Sequence, residues 1–171
     1  MRAVIDRFGD DLALVMVNDD IGHNSGLLIS PKMFMQIFPD RMKRLIAPAK
    51  DHGLKVLMHT DGKLDGILPI LYDVGIDANH PVEPESNDIV EVKKKWAGKM
   101  ALIGNIQYDD FHSITREQMA AAVRAVLDEC RGQRLILSPS AGPYEEHIPQ
   151  RVIENYRVFM ETGWEYGRTG A

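Results

Sequence analysis

The stretch Leu54-Lys55-Val56-Leu57-Met58-His59-Thr60-Asp61-Gly62 decides the fold. A short apolar run of strand length ends in polar residues and a glycine. Such runs, bounded by turn signals, suit strands of a parallel sheet covered on both faces. Four other runs share the form: Leu12-Ala13-Leu14-Val15-Met16-Val17, Gly75-Ile76-Asp77-Ala78, Met100-Ala101-Leu102-Ile103 and Leu135-Ile136-Leu137. Amphipathic stretches lie between them. Ser30 and Pro31 read as an N-cap and a first-turn proline, followed at helical spacing by Phe34, Ile37, Phe38, Met42, Leu45, Ile46 and Ala49. Pro39 predicts a kink or two abutting helices, and Gly53 supplies the stop. Asp65 predicts the start of a second helix through Ile67, Leu68, Leu71 and Val74, closed by Gly75. Asp88 begins a third. Thr115 and Gln118 form a capping-box pattern for a fourth, with Met119, Val123, Val126 and Leu127 on one face. Pro149 opens the fifth, with Val152, Ile153, Tyr156, Phe159 and Met160 inward and Gly163 closing it.

Strand alternating with helix implies parallel strands joined by right-handed crossovers. The count is about five βα units in a single domain over residues 1–171. A closed barrel takes eight units and roughly 250 residues. The pattern therefore fits either an open doubly wound sheet or an incomplete TIM-type (β/α) barrel.

Composition narrows the function classes. Hydrophobic residues make up 44% and charged residues 26%, and the net charge is −5. That is a normal globular balance, with enough chain to bury a core. Lys93-Lys94-Lys95 is the one basic run, and Glu91 with Lys95 is spaced as a helical i,i+4 ion pair. No basic stripe interleaves with aromatics, which argues against nucleic-acid binding. Cys130 is the single cysteine, so no disulfide forms within one chain. No apolar run approaches membrane-spanning length and no signal pattern opens the chain, so a cytoplasmic location is the expectation.

In parallel α/β folds ligands meet the loops after the strand C-termini. Those loops are polar in this chain. Asn18, Asp19, Asp20, His23 and Asn24 follow the first strand, and His59, Asp61 and Lys63 the second. Asn79, His80, Glu83 and Glu85 follow the third, Asn105 and Gln107 the fourth, and Ser138 and Ser140 the fifth. Strand alternation puts His59 and Asp61 on one side if strand geometry persists that far. His59, Asp61 and Glu83, with Asp19 beside them, make a set suited to a divalent metal such as zinc. His59 and Asp61 equally make a general acid/base pair in which the carboxylate sets the imidazole tautomer. Asp19 joins them as a candidate catalytic group. Asn18, Asp20, His80, Asn105, Gln107 and Ser140 are candidate substrate contacts. Taken singly, each of these residues is also a turn former or helix cap. Cys130 reads as a buried, inert thiol. Gly22 and Gly26 match no phosphate-binding fingerprint.

The same stretches resemble the uroporphyrinogen decarboxylase superfamily across nearly the whole chain. The resemblance rests on Asn18-Asp19-Asp20-Ile21-Gly22, Leu28-Ile29-Ser30-Pro31-Lys32-Met33-Phe34 and His52-Gly53 running through to Gly62. It continues in Leu68-Pro69, Val74-Gly75-Ile76-Asp77, His80-Pro81-Val82-Glu83-Pro84, Ile103-Gly104-Asn105-Ile106 and Ile136-Leu137-Ser138-Pro139-Ser140. It implies the later strands of a (β/α)8 barrel with the site at its mouth. It also implies one of two reactions. One removes carboxylates from uroporphyrinogen acetate side chains without a cofactor. The other moves methyl groups between a corrinoid protein and a thiol, using zinc. The decarboxylase's arginine-bearing signature belongs to the N-terminal half of the family's barrel, and Ser140-Ala141-Gly142-Pro143 stands in place of its late His-Gly element. The methyltransferases carry His-x-Cys-Gly and a later cysteine. His59 and Gly62 match that pattern, while Asp61 and Ala141 stand where the cysteines would be.

The reading is therefore a uroporphyrinogen decarboxylase-family protein with tetrapyrrole- or corrinoid-linked chemistry. The family label favours a lyase, and the residues favour metal-assisted methyl transfer. The alternative is a non-catalytic half-barrel that oligomerises or binds a ligand. Five units leave open sheet edges, so the expected partner is a second copy or a missing N-terminal half-barrel, with a corrinoid protein as a further partner. An unrelated aldolase-like barrel would need a Schiff-base lysine at a strand end, and neither Lys55 nor Lys63 is well placed for it.

Overall fold

Chain order and sheet order coincide in this protein. The computed structural model describes residues 1–96, 98–132 and 134–168. Helix α1 (Arg2–Phe8) leads into strand β1 (Leu14–Asn18), and a small antiparallel hairpin, β2 (Gly22–His23) and β3 (Gly26–Leu27), follows. Then come α2 (Pro31–Asp51), β4 (Lys55–His59), α3 (Leu68–Val74), β5 (Ala78–His80), α4 (Ile89–Trp96) and β6 (Ala101–Ile106). The chain ends with α5 (Asp110–Ser113), α6 (Arg116–Glu129), β7 (Leu135–Pro139) and α7 (Gln150–Arg168). The main sheet is parallel throughout, in the order β1-β4-β5-β6-β7. A doubly wound sheet needs a point where strand order reverses. This order never reverses, so right-handed crossovers carry the helices to one side of the sheet. The result is an arc of a TIM-type barrel, open among the described residues.

The pleat sorts the strand residues by face. Val15, Val17, Val56, Met58, Leu102, Leu135 and Leu137 pack with the helices. Leu14, Leu57, Ala78, Ala101 and Ile103 instead line a concave space of about 330 Å³ on the other face. Leu14, Met16 and Ile136 are 44%, 54% and 51% exposed. In a closed barrel that face would be interior.

The helix signals hold at most boundaries. Ser30 Oγ accepts the Met33 amide, and Thr115 with Gln118 closes a full capping box. Asp88 Oδ1 accepts the amides of Val90 and Glu91. Cys130 is buried at the C-cap of α6. Several expectations need correction. Pro39 neither breaks nor divides α2, which continues through both Pro39 and Pro48. Phe34, Met42, Ile46 and Ala49 are buried on both sides of Pro39, and that packing outweighs one lost backbone bond. Helix α3 begins at Leu68 rather than Asp65, whose carboxylate faces Lys95 at 3.4 Å. Glu91 pairs with Lys94 at 2.7 Å, one residue short of the expected i,i+4 partner. Strand β5 is Ala78–His80, three residues later than the apolar run, because Asp77 is held aside by Lys50, Lys55 and the Val56 amide.

Helix α7 is rotated from the expected face. Val152, Asn155, Phe159 and Thr162 are its buried residues, while Ile153 and Met160 are exposed. Asn155 Nδ2 donates to the carbonyls of Phe111 and Ile114 at 3.0 and 3.1 Å, and this draws a polar residue inward. Gly163 does not end the helix. A Cβ there would lie 2.8 Å from Leu137 Cδ2, so the glycine lets α7 lie close against β7.

Candidate functional site

Parallel register sets the first row of the site. Asn18 pairs with His59, and His59 with His80, so three strand-end residues lie side by side. The loop after β4 then turns over this row under dense restraint. The Asp19 amide donates to the His59 carbonyl at 3.1 Å, and the Thr60 amide donates to the His80 carbonyl at 2.9 Å. Thr60 is fully buried, and its Oγ1 accepts the Ile21 amide at 3.0 Å. The Gly62 amide donates to Glu83 Oε2 at 2.7 Å, and Asn87 bonds both the Leu64 amide and the Gly62 carbonyl.

Gly62 and Gly22 interlock. Gly62 has φ +92°, and a Cβ on it would stand 2.5 Å from the His23 backbone. A Cβ on Gly22 would lie 2.8 Å from the Asp61 carbonyl oxygen. The hairpin thus lies directly on the His59–Gly62 segment, where only glycine permits the contact.

Among the described residues, Asp20, His59 and Asp61 bring one potential ligand atom each within 4.8 Å of one another. His59 Nε2 is 3.8 Å from Asp61 Oδ1. Asp20 Oδ1 accepts the Asp61 amide at 3.2 Å, which ties the first loop to the second. The donor set is one imidazole and two carboxylates, which fits a divalent first-row cation. It does not fit a thiolate shell, because Cys130 packs in the helix-side core. Glu83 spends an oxygen on the Gly62 amide and stands outside the ligand group, and Asp20 takes the third place.

The other candidate residues fall around this centre. His80 Nδ1 is 2.7 Å from His59 Nδ1, with the rings stacked at 4.9 Å. Burial pushes His80 below the usual imidazole value, with His59 adding to the effect against the opposing pull of the Pro139 carbonyl and Asp61. His80 is therefore neutral at about pH 7. Asn18 and Asp19 are exposed at the rim, and Asp19 and Asp20 also border an apolar space of about 410 Å³ walled by Ile21, Phe34, Phe38 and Met42. Asn105 is buried in β6. Gln107 holds a buried Oε1 with no hydrogen-bond partner among the described residues. Ser140 is buried, and its Oγ accepts the Tyr108 amide at 2.9 Å, a loop-fixing bond.

A further polar group lies after β6 and β7. Glu145 Oε2 accepts the Tyr108 hydroxyl at 2.7 Å, and its Oε1 is 2.7 Å from His112 Nε2. Burial and Glu145 raise Tyr108 well above the usual phenol value. Asp110 is also raised, by burial and then by Asp109 and Glu85, which marks crowding of acids at the mouth. The sequence carries no periodic signal for the Tyr108–His112–Glu145 group, since its parts come from an irregular loop and a short helix.

The arc is shared with known proteins. The family model described as uroporphyrinogen decarboxylase (URO-D) matches residues 5–166, and the chain belongs to that family. Among solved structures, a methyltransferase from Methanosarcina mazei is similar, with a TM-score of 0.66 and 19% sequence identity. The match covers 90% of this chain and 42% of that one, so this chain spans less than half of that structure's length. At that identity the likeness carries the fold alone. No curated protein sequence matches. No helix among the described residues is long and apolar enough to cross a membrane.

Proposed function

We propose that this chain carries the metal-binding part of a URO-D-family barrel, and that the site serves metal-assisted methyl transfer. The carrying observation is the convergence of Asp20, His59 and Asp61 within 4.8 Å at the ends of β1 and β4. A divalent cation such as zinc, when bound there, would act as a Lewis acid toward a methyl acceptor. The protein's own groups do the rest. Asp20 and Asp61 supply charge that a cation needs, and His59 supplies a neutral nitrogen. Thr60, Glu83 and Asn87 hold the loop that carries two of these donors. Asn18, Asp19, Asn105 and Gln107 are the proposed contacts to a polar substrate beside them.

The family's decarboxylation of a polycarboxylate substrate is the second reading, favoured by the family match itself. The charge at the mouth weighs against it. Asp19, Asp20, Asp61, Glu83 and Glu85 follow the strands at that end, and Asp110, raised first by burial, is raised further by Asp109 and Glu85. Arg41, which borders the apolar space beside Asp19 and Asp20, is a cation of the chain itself that can offset part of that charge.

Calorimetric titration of chelator-treated protein with zinc tests the reading. One zinc per chain is expected, lost in His59→Ala and Asp61→Asn and weakened in Asp20→Asn. Binding that none of the three changes, or no binding, overturns it. Demethylation of methylcobalamin by a thiol, followed by absorbance, separates methyl transfer from carbon dioxide release from uroporphyrinogen.

A further inference from the structure

His80 is not in the ligand group, yet its ring lies against the imidazole that is. Two hydrogen-bond facts fix the direction of that contact. His80 Nε2 is 3.1 Å from the Pro139 carbonyl oxygen, which can only accept. Ser138 Oγ, 3.4 Å away, gives its own proton to the same carbonyl and so also offers His80 a lone pair. His80 Nε2 therefore carries hydrogen. In a neutral imidazole the other nitrogen is then bare. His80 Nδ1 must accept, and the only donor 2.7 Å from it is His59 Nδ1–H. In a neutral His59 the bare nitrogen is then Nε2, 3.8 Å from Asp61 Oδ1.

We propose that His80 is a positioning residue that relays the Pro139 carbonyl through to His59, holding His59 in its Nδ1–H tautomer with the Nε2 lone pair aimed at Asp20 and Asp61. The free imidazole has no such constraint, and the partner of one ring nitrogen decides the state of the other. A bare nitrogen beside two carboxylates is unfavourable in an empty pocket, since the opposite tautomer would let Nε2–H donate to Asp61. The strand-end bond from β7 through β5 to β4 overrides that preference. The relay joins three strands, so the ligand's chemistry depends on a backbone carbonyl three strands away in the sheet. The tautomer follows from the hydrogen bonds of two neutral rings. Its use as a preset ligand rests on the metal reading above.

Long-range proton–nitrogen correlation on protein labelled at histidine nitrogen tests the relay in the absence of metal. The wild type is expected to show His59 as the Nδ1–H tautomer and His80 as the Nε2–H tautomer. His80→Phe keeps a ring but offers no acceptor, and should return His59 to Nε2–H. His80→Asn places an oxygen near the old Nδ1 position and should retain Nδ1–H. Zinc affinity should fall about 10–100-fold in His80→Phe and recover in His80→Asn. A wild-type His59 found as Nε2–H overturns the relay, and so does a His59 tautomer unmoved by His80→Phe. If the wild-type tautomers are as stated but zinc does not bind, the relay stands and the metal reading fails. The wild-type spectrum decides the question even if a variant does not fold.

Discussion

Gly62 is the position where the site tolerates least change. Gly62→Ala forces a side chain into a left-handed conformation and against the His23 backbone. The conformation alone costs about 1–3 kcal/mol, and the clash adds to it. Urea denaturation should show at least that loss. Thr60→Val leaves the buried Ile21 amide without its acceptor, at a cost of about 1–3 kcal/mol, and Thr60→Ser should recover most of it. An unchanged urea midpoint in Thr60→Val would show that the amide finds another partner. The closeness of His59 and Asp61 was legible because an apolar run ends on them and strand alternation places them together. Asp20 was harder. Its place depends on a bond to the Asp61 amide, 41 positions away, and no local pattern carries such a bond. Glu83 has the right chemistry and loop for a ligand, but one oxygen is bonded to the Gly62 amide and the residue lies outside the Asp20–His59–Asp61 group.

Between elements, Asp77 does comparable work at the opposite end of the sheet. It accepts the Val56 amide at 2.8 Å, pairs with Lys50, and meets Lys55 at 3.3 Å, joining α2, β4 and the start of β5. Burial alone would raise its pKa, but Lys50, the Val56 amide and Lys55 together hold it below the ordinary value. Its stabilisation is therefore present above the unfolded value of about 3.9 and is lost as pH falls through the lower folded value. Urea midpoints measured from about pH 6 to about pH 2 should fall in the acid range, and Asp77→Asn should flatten that part of the profile. A profile identical in Asp77→Asn would assign the acid loss to other carboxylates. Helix existence and type were legible from caps and spacing at this scale. The face of α7 was not, because Asn155 reads as a surface residue until its two carbonyl partners are known.

The described residues form a barrel arc with β1 and β7 at its two edges. Strand order was not written in any one segment, and the doubly wound alternative fell only when the order proved continuous. The arc leaves Leu14, Met16 and Ile136 open on the concave face, and Ile153, Met160 and Trp164 open along α7. Exposed edges and apolar faces of this kind are normally covered. Light scattering at micromolar concentration should therefore report an assembly, either of copies of this chain or with added βα units. Met16→Lys combined with Ile136→Glu should shift it toward the single chain. A wild-type monomer would show that the open face is tolerated. The edge position of β1 has one more consequence. Asp20 is donated from a strand bonded on one side only, whereas His59 and Asp61 follow a strand paired on both. Asp20 is then held against the other two candidate donors by the Asp61 amide bond and the hairpin contact on Gly62 rather than by sheet pairing on both sides. Discrimination among cations of different ionic radius would be set by those two contacts.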